Sequence, residues 1–133
     1  MKRASLAAVV TFTATVVAAT ASTGCTVFED QVSLLNCGVA STATATRRVR
    51  IETDCDHNLH LEIEDVARGL YAVLVNGTER GTIRVKNARV GELEFDTSPT
   101  GAQLPLDFDP FGHIDIATST GRVILSLDQC PAS

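Results

Sequence analysis

The sequence lacks tryptophan, contains one tyrosine and carries fewer basic than acidic residues, 11 against 16 among 133. A net charge of -5 argues against a nucleic-acid-binding domain, because such domains usually present a basic face to the phosphate backbone. A hydrophobic fraction of 44% is too high for a charge-rich disordered chain. The length fits one small domain, so the composition indicates a single folded, acidic unit.

The motifs of several enzyme classes are also absent. The chain has no GxSxG nucleophile elbow, no HExxH zinc motif, no P-loop and no dinucleotide-binding fingerprint. Its three histidines, His57, His60 and His113, have no sequence spacing that singles out a Ser-His-acid triad. These absences lower the expectation of enzymatic activity without eliminating it.

Residues 1–21 have the features of a secretory signal peptide. Lys2 and Arg3 form a short basic start, and an apolar run ends at Ala21. That run has 16 residues, fewer than the roughly 20 that a membrane-spanning helix needs. Cleavage after its small-x-small end would export a chain beginning at Ser22 to the periplasm or the extracellular space. Loss of the two basic residues takes the net charge from -5 to -7.

A second processing site leads to a different location. Ser22-Thr23-Gly24-Cys25 resembles a bacterial lipobox, in which Cys25 would be lipidated and hold the protein at a membrane. Ser22 departs from the pattern, because such motifs carry Leu or another aliphatic residue there. Soluble export leaves four cysteines, an even number suited to two disulfides, whereas lipidation leaves three. Parity therefore favours soluble export, with membrane association only for the lipidated form.

Residues 22–46 differ in composition from the rest and end in a run rich in Ala, Thr and Ser. We predict that this segment is an N-terminal tether. Phe28, Val32 and Leu35 recur within it at helical spacing, which predicts one short helix over about residues 29–35.

From Arg47 onward the dominant hydrophobic period is two, which is typical of strands with one buried face. Seven such segments follow one another with turn residues between them. They predict an all-β fold, a single antiparallel β-sandwich of about seven strands over residues 47–130. The alternating apolar residues are Val49/Ile51, Leu59/Leu61/Ile63, Tyr71/Val73/Val75, Ile83/Val85, Leu93/Phe95, Ile114/Ile116 and Val123/Leu125/Leu127.

One antiparallel pairing satisfies both faces of two segments, residues 80–86 and 90–96. It places Ile83 opposite Phe95 on the apolar side and Arg84 opposite Glu94 on the polar side. The same pairing would neutralise the basic residues of segment 68–89 with the acidic residues that follow it.

Asn76-Gly77 predicts a two-residue type I′ turn in the preceding hairpin. That turn places Tyr71 opposite Thr82, whereas a loop one residue longer places Tyr71 beside Ile83, and the sequence leaves both registers open. Both faces of residues 70–75 are apolar, which predicts a central strand buried on both sides.

Residues 107–115 have a carboxylate pattern similar to part of a calcium-binding loop. Phe111 and Thr118 stand where that loop requires ligands. We therefore favour a type I turn beginning at Asp109, with Leu106 and Phe108 covering the core. A weak calcium site is the alternative, and no other cofactor is expected. Its ligands would be Asp107, Asp109 and Asp115.

Cys55 lies in a ligand-rich segment, residues 54–60, but we expect a disulfide there rather than a zinc site, because exported proteins meet oxidising conditions. Four cysteines allow three pairings. We predict Cys55 with Cys130, at the two ends of the sandwich, and Cys25 with Cys37.

The run from Gly69 to Gly77, followed by Gly81-Thr82-Ile83 and Gly91-Glu92-Leu93-Glu94-Phe95, resembles the G-x-Y-x-V-x-V-x-G pattern of small exported bacterial β-sandwich modules. Prealbumin-like surface domains are the nearest named comparison. The resemblance implies an immunoglobulin-like or prealbumin-like sandwich and carries no site residues.

Together these features predict a non-enzymatic exported module that binds a protein or glycan partner, or has a structural role, in the bacterial cell envelope or outside the cell. One alternative is a secreted or periplasmic cation-assisted enzyme using Asp107, Asp109 and His113. Another is a small disulfide-stabilised inhibitor of a secreted protein.

Overall fold

Ten strands form two five-stranded sheets in the computed structural model, which describes residues 24–132. The front sheet has the order β1-β3-β4-β7-β8 and the back sheet the order β2-β10-β9-β5-β6. The predicted signal peptide and its cleavage site lie outside the described residues. The strands are β1 (Phe28–Ser33), β2 (Leu35–Asn36), β3 (Thr44–Ile51), β4 (His57–Glu64), β5 (Gly69–Val75), β6 (Thr78–Val85), β7 (Val90–Asp96), β8 (Leu104–Pro105), β9 (Ile114–Thr118) and β10 (Val123–Ser126).

Period-two alternation places one face of each sheet in a shared core. On β4, Leu59, Leu61 and Ile63 are fully buried, whereas His60 and Glu62 alternate with them on the outer face. All described strand pairs are antiparallel except β7 with β8. The predicted all-β sandwich is confirmed, but with ten strands in place of seven.

The segment expected to be a tether with a helix instead forms β1 and β2. β1 pairs with β3 along its whole length, from Phe28 with Ile51 to Ser33 with Thr46. Without β1, the outer edge of β3 would lack backbone hydrogen-bond partners. Asp30 of β1 also forms an ion pair with the buried Arg47. The predicted helix is therefore wrong, and the sandwich begins with β1.

β6 and β7 follow each other in the chain but belong to opposite sheets, so the predicted antiparallel pairing is wrong. Their apolar faces meet across the core: a Cβ atom at Gly91 would lie 2.5 Å from the side chain of Ile83. Apolar alternation shows which face is buried, but it is the same for strands paired in one sheet and strands stacked across a sandwich. Consequently Arg84 and Glu94 belong to the outer faces of different sheets.

The hairpin between β5 and β6 combines the two registers that the sequence left open. Asn76 and Gly77 both have positive φ angles, 50° and 80°, as a type I′ turn requires. The register then shifts at an irregularity in β6, so that Tyr71 pairs with Ile83. The predicted burial of β5 on both sides is wrong, because Leu70 on its outer face is 48% exposed.

All four cysteines form disulfides, but Cys25 is joined to Cys55 and Cys37 to Cys130, so the predicted pairing is wrong. β1 runs antiparallel to β3 and brings the segment that precedes β1 to the β3–β4 turn, where the Cys25 amide donates to Thr53 O. β2 pairs with β10 in the same way and brings Cys37 to the end of the chain. Two disulfides indicate an oxidising compartment.

Residues 24–132 contain no helix with the length and hydrophobicity needed to cross a bilayer.

Peptide mapping under non-reducing conditions should recover Cys25 with Cys55 and Cys37 with Cys130. The loop-entropy relation gives about 4 to 5 kcal/mol for a separation of 93 residues and about 3 to 4 kcal/mol for one of 30. Replacing Cys37 and Cys130 with Ala should therefore lower the free energy of unfolding more than the same change at Cys25 and Cys55. Urea titration measures both losses, and the reverse order would contradict the prediction.

Candidate functional site

The segment predicted as a turn, with calcium binding as the alternative, closes one end of the core. Leu106 is buried, and the ring of Phe108 packs edge-on against Phe95 with 5.0 Å between ring centres. Asp109 begins the turn: its carbonyl accepts from the Gly112 amide at 3.1 Å and its carboxylate from the Phe111 amide at 2.9 Å. The predicted turn is confirmed.

The three carboxylates assigned to the calcium alternative have separate partners. Asp107 Oδ1 lies 3.9 Å from Nη1 of Arg80, and Asp109 is held by its own turn. Asp115 Oδ1 accepts from the hydroxyl of Ser126 at 2.7 Å. Each of the three carboxylates thus interacts with a different neighbouring group. Calcium binding here stays a prediction.

Ser126, His113 and Asp115 form a hydrogen-bonded cluster that the sequence spacing did not reveal. His113 Nε2 lies 3.0 Å from Asp115 Oδ1 and 3.3 Å from Ser126 Oγ, and its Nδ1 lies 3.8 Å from a carboxylate oxygen of Asp128. In a hydrolytic triad the serine hydroxyl donates to one ring nitrogen and an acid accepts from the other. Here the Ser126 hydroxyl is closest to Asp115 Oδ1, at 2.7 Å, and the acid on the Nδ1 side, Asp128, lies beyond hydrogen-bond distance. Ser126 is also fully buried and lies 2.7 Å from the carbonyl of Gln129. The geometry therefore fits a structural connection between β9, β10 and the C-terminal segment.

Ser126→Ala should cost about 1 to 2 kcal/mol in unfolding free energy, because the Asp115 carboxylate and the Gln129 carbonyl lose the buried hydroxyl between them. A serine-directed fluorophosphonate probe should leave Ser126 unmodified in the native protein. Urea titration and intact-mass measurement check the two outcomes. Labelling of Ser126 in the folded state would contradict the structural role.

The outer face of β4 and β7 carries the largest concentration of carboxylates in the front sheet, and we call it the acidic face. β4 and β7 are neighbours, with His60 opposite Glu94 and Glu62 opposite Glu92. The next strand, β3, places two arginines on the same face, Arg48 opposite His60 and Arg50 opposite Asn58. Arg50 is already paired with Glu29 at 3.2 Å. The acidic face comprises Glu62, Glu64, Glu92, Glu94 and Asp96.

His60 lies between two of these carboxylates. Its Nε2 is 3.6 Å from Glu92 and 4.0 Å from Glu62. Among residues 24–132, this is the one group of three metal-ligand side chains whose ligand atoms lie within 4.8 Å of one another. Imidazole and carboxylate are common ligands of divalent metal ions, so these residues are the described set best placed to hold one.

A pocket of about 310 Å³ adjoins this group, between the middle of β7 and the segment before β8. Glu94 is held at its edge: one carboxylate oxygen accepts from Asn58 Nδ2 at 2.7 Å and from Gln103 Nε2 at 3.1 Å. Thr100 and Gln103 complete the polar lining. The pocket thus offers a fixed carboxylate beside hydroxyl and amide groups.

Two buried polar atoms on the same outer face lack hydrogen-bond partners, Asn58 Oδ1 and Arg48 Nε. Asn58 is only 6% exposed. Burying an unpaired polar atom typically costs 1 to 3 kcal/mol, so this face is not arranged for greatest stability.

The acidic face also perturbs one of its own members. The Glu62 carboxylate raises the pKa of Glu64 above its ordinary value, first because protonated Glu64 donates a hydrogen bond to Glu62 and second because the two charges repel each other. A raised pKa in the folded state means that ionised Glu64 destabilises the fold. This penalty is present at neutral pH, shrinks as the pH falls through the raised pKa and is gone below the ordinary pKa of the unfolded chain.

Glu64→Gln should therefore raise the melting temperature at pH 7 and leave it unchanged near pH 3.5, where unperturbed glutamates are already largely protonated. Glu52→Gln removes the same charge just beyond the other end of the β3–β4 pair and is the control. Thermal melting at both pH values tests this, and an equal gain at the two would contradict it.

The acidic residues of β4 and β7 alternate visibly in the sequence, as Glu62/Glu64 and Glu92/Glu94. Their meeting on one surface was missed, because β7 was expected to pair with β6. Comparison of the chain with protein-family models and with curated proteins found no match.

Proposed function

We propose that this protein is an exported, non-enzymatic binding module and that its acidic face recognises a basic segment of a partner protein. The observation that supports this most directly is the convergence of His60, Glu62 and Glu92 beside the pocket that holds Glu94. The carboxylates extend over two neighbouring strands. Such an array suits several positive charges spread along a chain better than one ion.

The two disulfides support export to an oxidising compartment. The bond from Cys25 to Cys55 also favours the soluble form over the lipoprotein, because lipidation would occupy the same Cys25 sulfur. A periplasmic or extracellular location stays a prediction. An immunoglobulin-like or prealbumin-like form of the sandwich stays one as well.

The chemistry of the acidic face favours a protein partner over a glycan. The carboxylates on β4 and β7 would attract Lys and Arg side chains. Gln103 holds Glu94 in place through its Nε2 and is itself fixed by Thr100. The attraction between exposed charges weakens with salt, since the Debye length falls to about 3 Å at 1 M. Salt dependence is therefore a specific mark of this mode of binding.

A fluorescent peptide rich in Lys and Arg should bind the disulfide-intact chain at low salt and lose affinity as salt rises. Glu62→Gln with Glu92→Gln should weaken binding at least about tenfold, equivalent to about 1.4 kcal/mol. Glu52→Gln with Glu79→Gln removes the same charge outside the acidic face. Fluorescence anisotropy gives the dissociation constants.

Equal weakening by both double variants would attribute binding to net charge alone and contradict the proposed surface. Absence of peptide binding at low salt would contradict the partner chemistry. If the peptide binds as expected, recovery of envelope proteins on the wild-type chain and on the Glu62/Glu92 double variant would then identify the natural partner.

A further inference from the structure

The outer face of the back sheet has a different character, with small and mostly apolar residues along its centre. A row across β6, β5, β9 and β10 contains Thr82, Ala72, Ala117 and Val123, as the strand registers show. This row lies in a groove of about 370 Å³, which is also lined by Leu70 and Leu74 of β5.

One end of this face is basic. Arg68, Arg84 and Lys86 line a pocket of about 320 Å³ that meets the groove at Leu70. These residues were expected to be neutralised by the carboxylates of β7, which belong to the other sheet. Within the described part of the chain, none of the three forms an ion pair. Their positive charge is therefore available to a ligand.

The other end of the face is acidic. Glu79 pairs in register with Leu74, as Arg84 does with Leu70 at the basic end. Glu79 is exposed and has no side-chain hydrogen bond or ion pair within residues 24–132. Along the strands the face therefore runs from basic, through apolar, to acidic.

This order makes the face complementary to itself. A two-fold axis that crosses the strands along the row of Ala72 reverses the strand direction of the second copy. Arg84 of one copy then faces Glu79 of the other, and Leu70 faces Leu74. Such isologous contacts are the commonest way in which soluble proteins form dimers.

We propose that the outer face of the back sheet is a homodimer interface in which two copies stack with opposite strand directions. The occupant is a second copy of this chain, because the copy supplies both charges and the apolar centre in the required order. A ligand with only an acidic group would neutralise the basic end and leave Glu79 unpaired. The proposal does not depend on the acidic face of the front sheet.

Exchanging the charges of Arg84 and Glu79 tests the interface, because combining the two changes should restore what each change alone disrupts. Arg84→Glu alone places two acids together and Glu79→Arg alone places two bases together, so each variant should raise the dimer dissociation constant at least tenfold. An equimolar mixture of the two variants should regain the dimer as a mixed pair. A chain carrying both changes should regain it as a homodimer. Sedimentation velocity on the disulfide-intact chain over a range of concentrations measures all four samples.

Glu52→Arg is the matched control and should leave the dimer unchanged. Both exchanged side chains are exposed, and recovery in the mixture requires that each variant is folded. A monomeric wild type up to about millimolar concentration, or a mixture that stays monomeric, would overturn the proposal. So would single variants that dimerise as well as the wild type.

Discussion

Burial of alternate side chains between two sheets is the constraint on which the other features depend. Because the side-chain period of a strand is two, burying Leu59, Leu61 and Ile63 forces His60 and Glu62 to the outer surface. A slip of one residue would bury Glu62 and expose the aliphatic row. The acidic face is thus held in register by the hydrophobic core beneath it.

The short connection between β6 and β7 carries the chain from one sheet to the other, and it separates the charges of the molecule. Arg84 belongs to the back surface and Glu94 to the front, although the two are only ten positions apart in sequence. Pairing within one sheet would have cancelled these charges. Stacking across the core leaves two surfaces of opposite local character, each with charges still available for binding.

The positions of most strands could be predicted from the sequence, because burial of one face leaves a period of two. Strand neighbours could not, since Ile83 and Phe95 show the same alternation whether they pair within a sheet or meet across the core. The same limitation hid the acidic face, which depends on β7 lying beside β4. The disulfide pairing followed from β1 lying beside β3, and helical spacing at Phe28, Val32 and Leu35 concealed that strand.

The two disulfides determine how the protein responds to mechanical force. Cys25 and Cys37 are only twelve positions apart along the backbone, and Cys37 is bonded directly to Cys130. A pull applied at Cys25 and Cys130 can therefore extend the chain by at most about 40 Å, compared with about 350 Å for the same residues without crosslinks. Most of the sandwich lies outside the path of the force. The domain would thus carry tension through β1 and β2, which lie between Cys25 and Cys37, while the strands from β3 to β10 stay out of the path of the force.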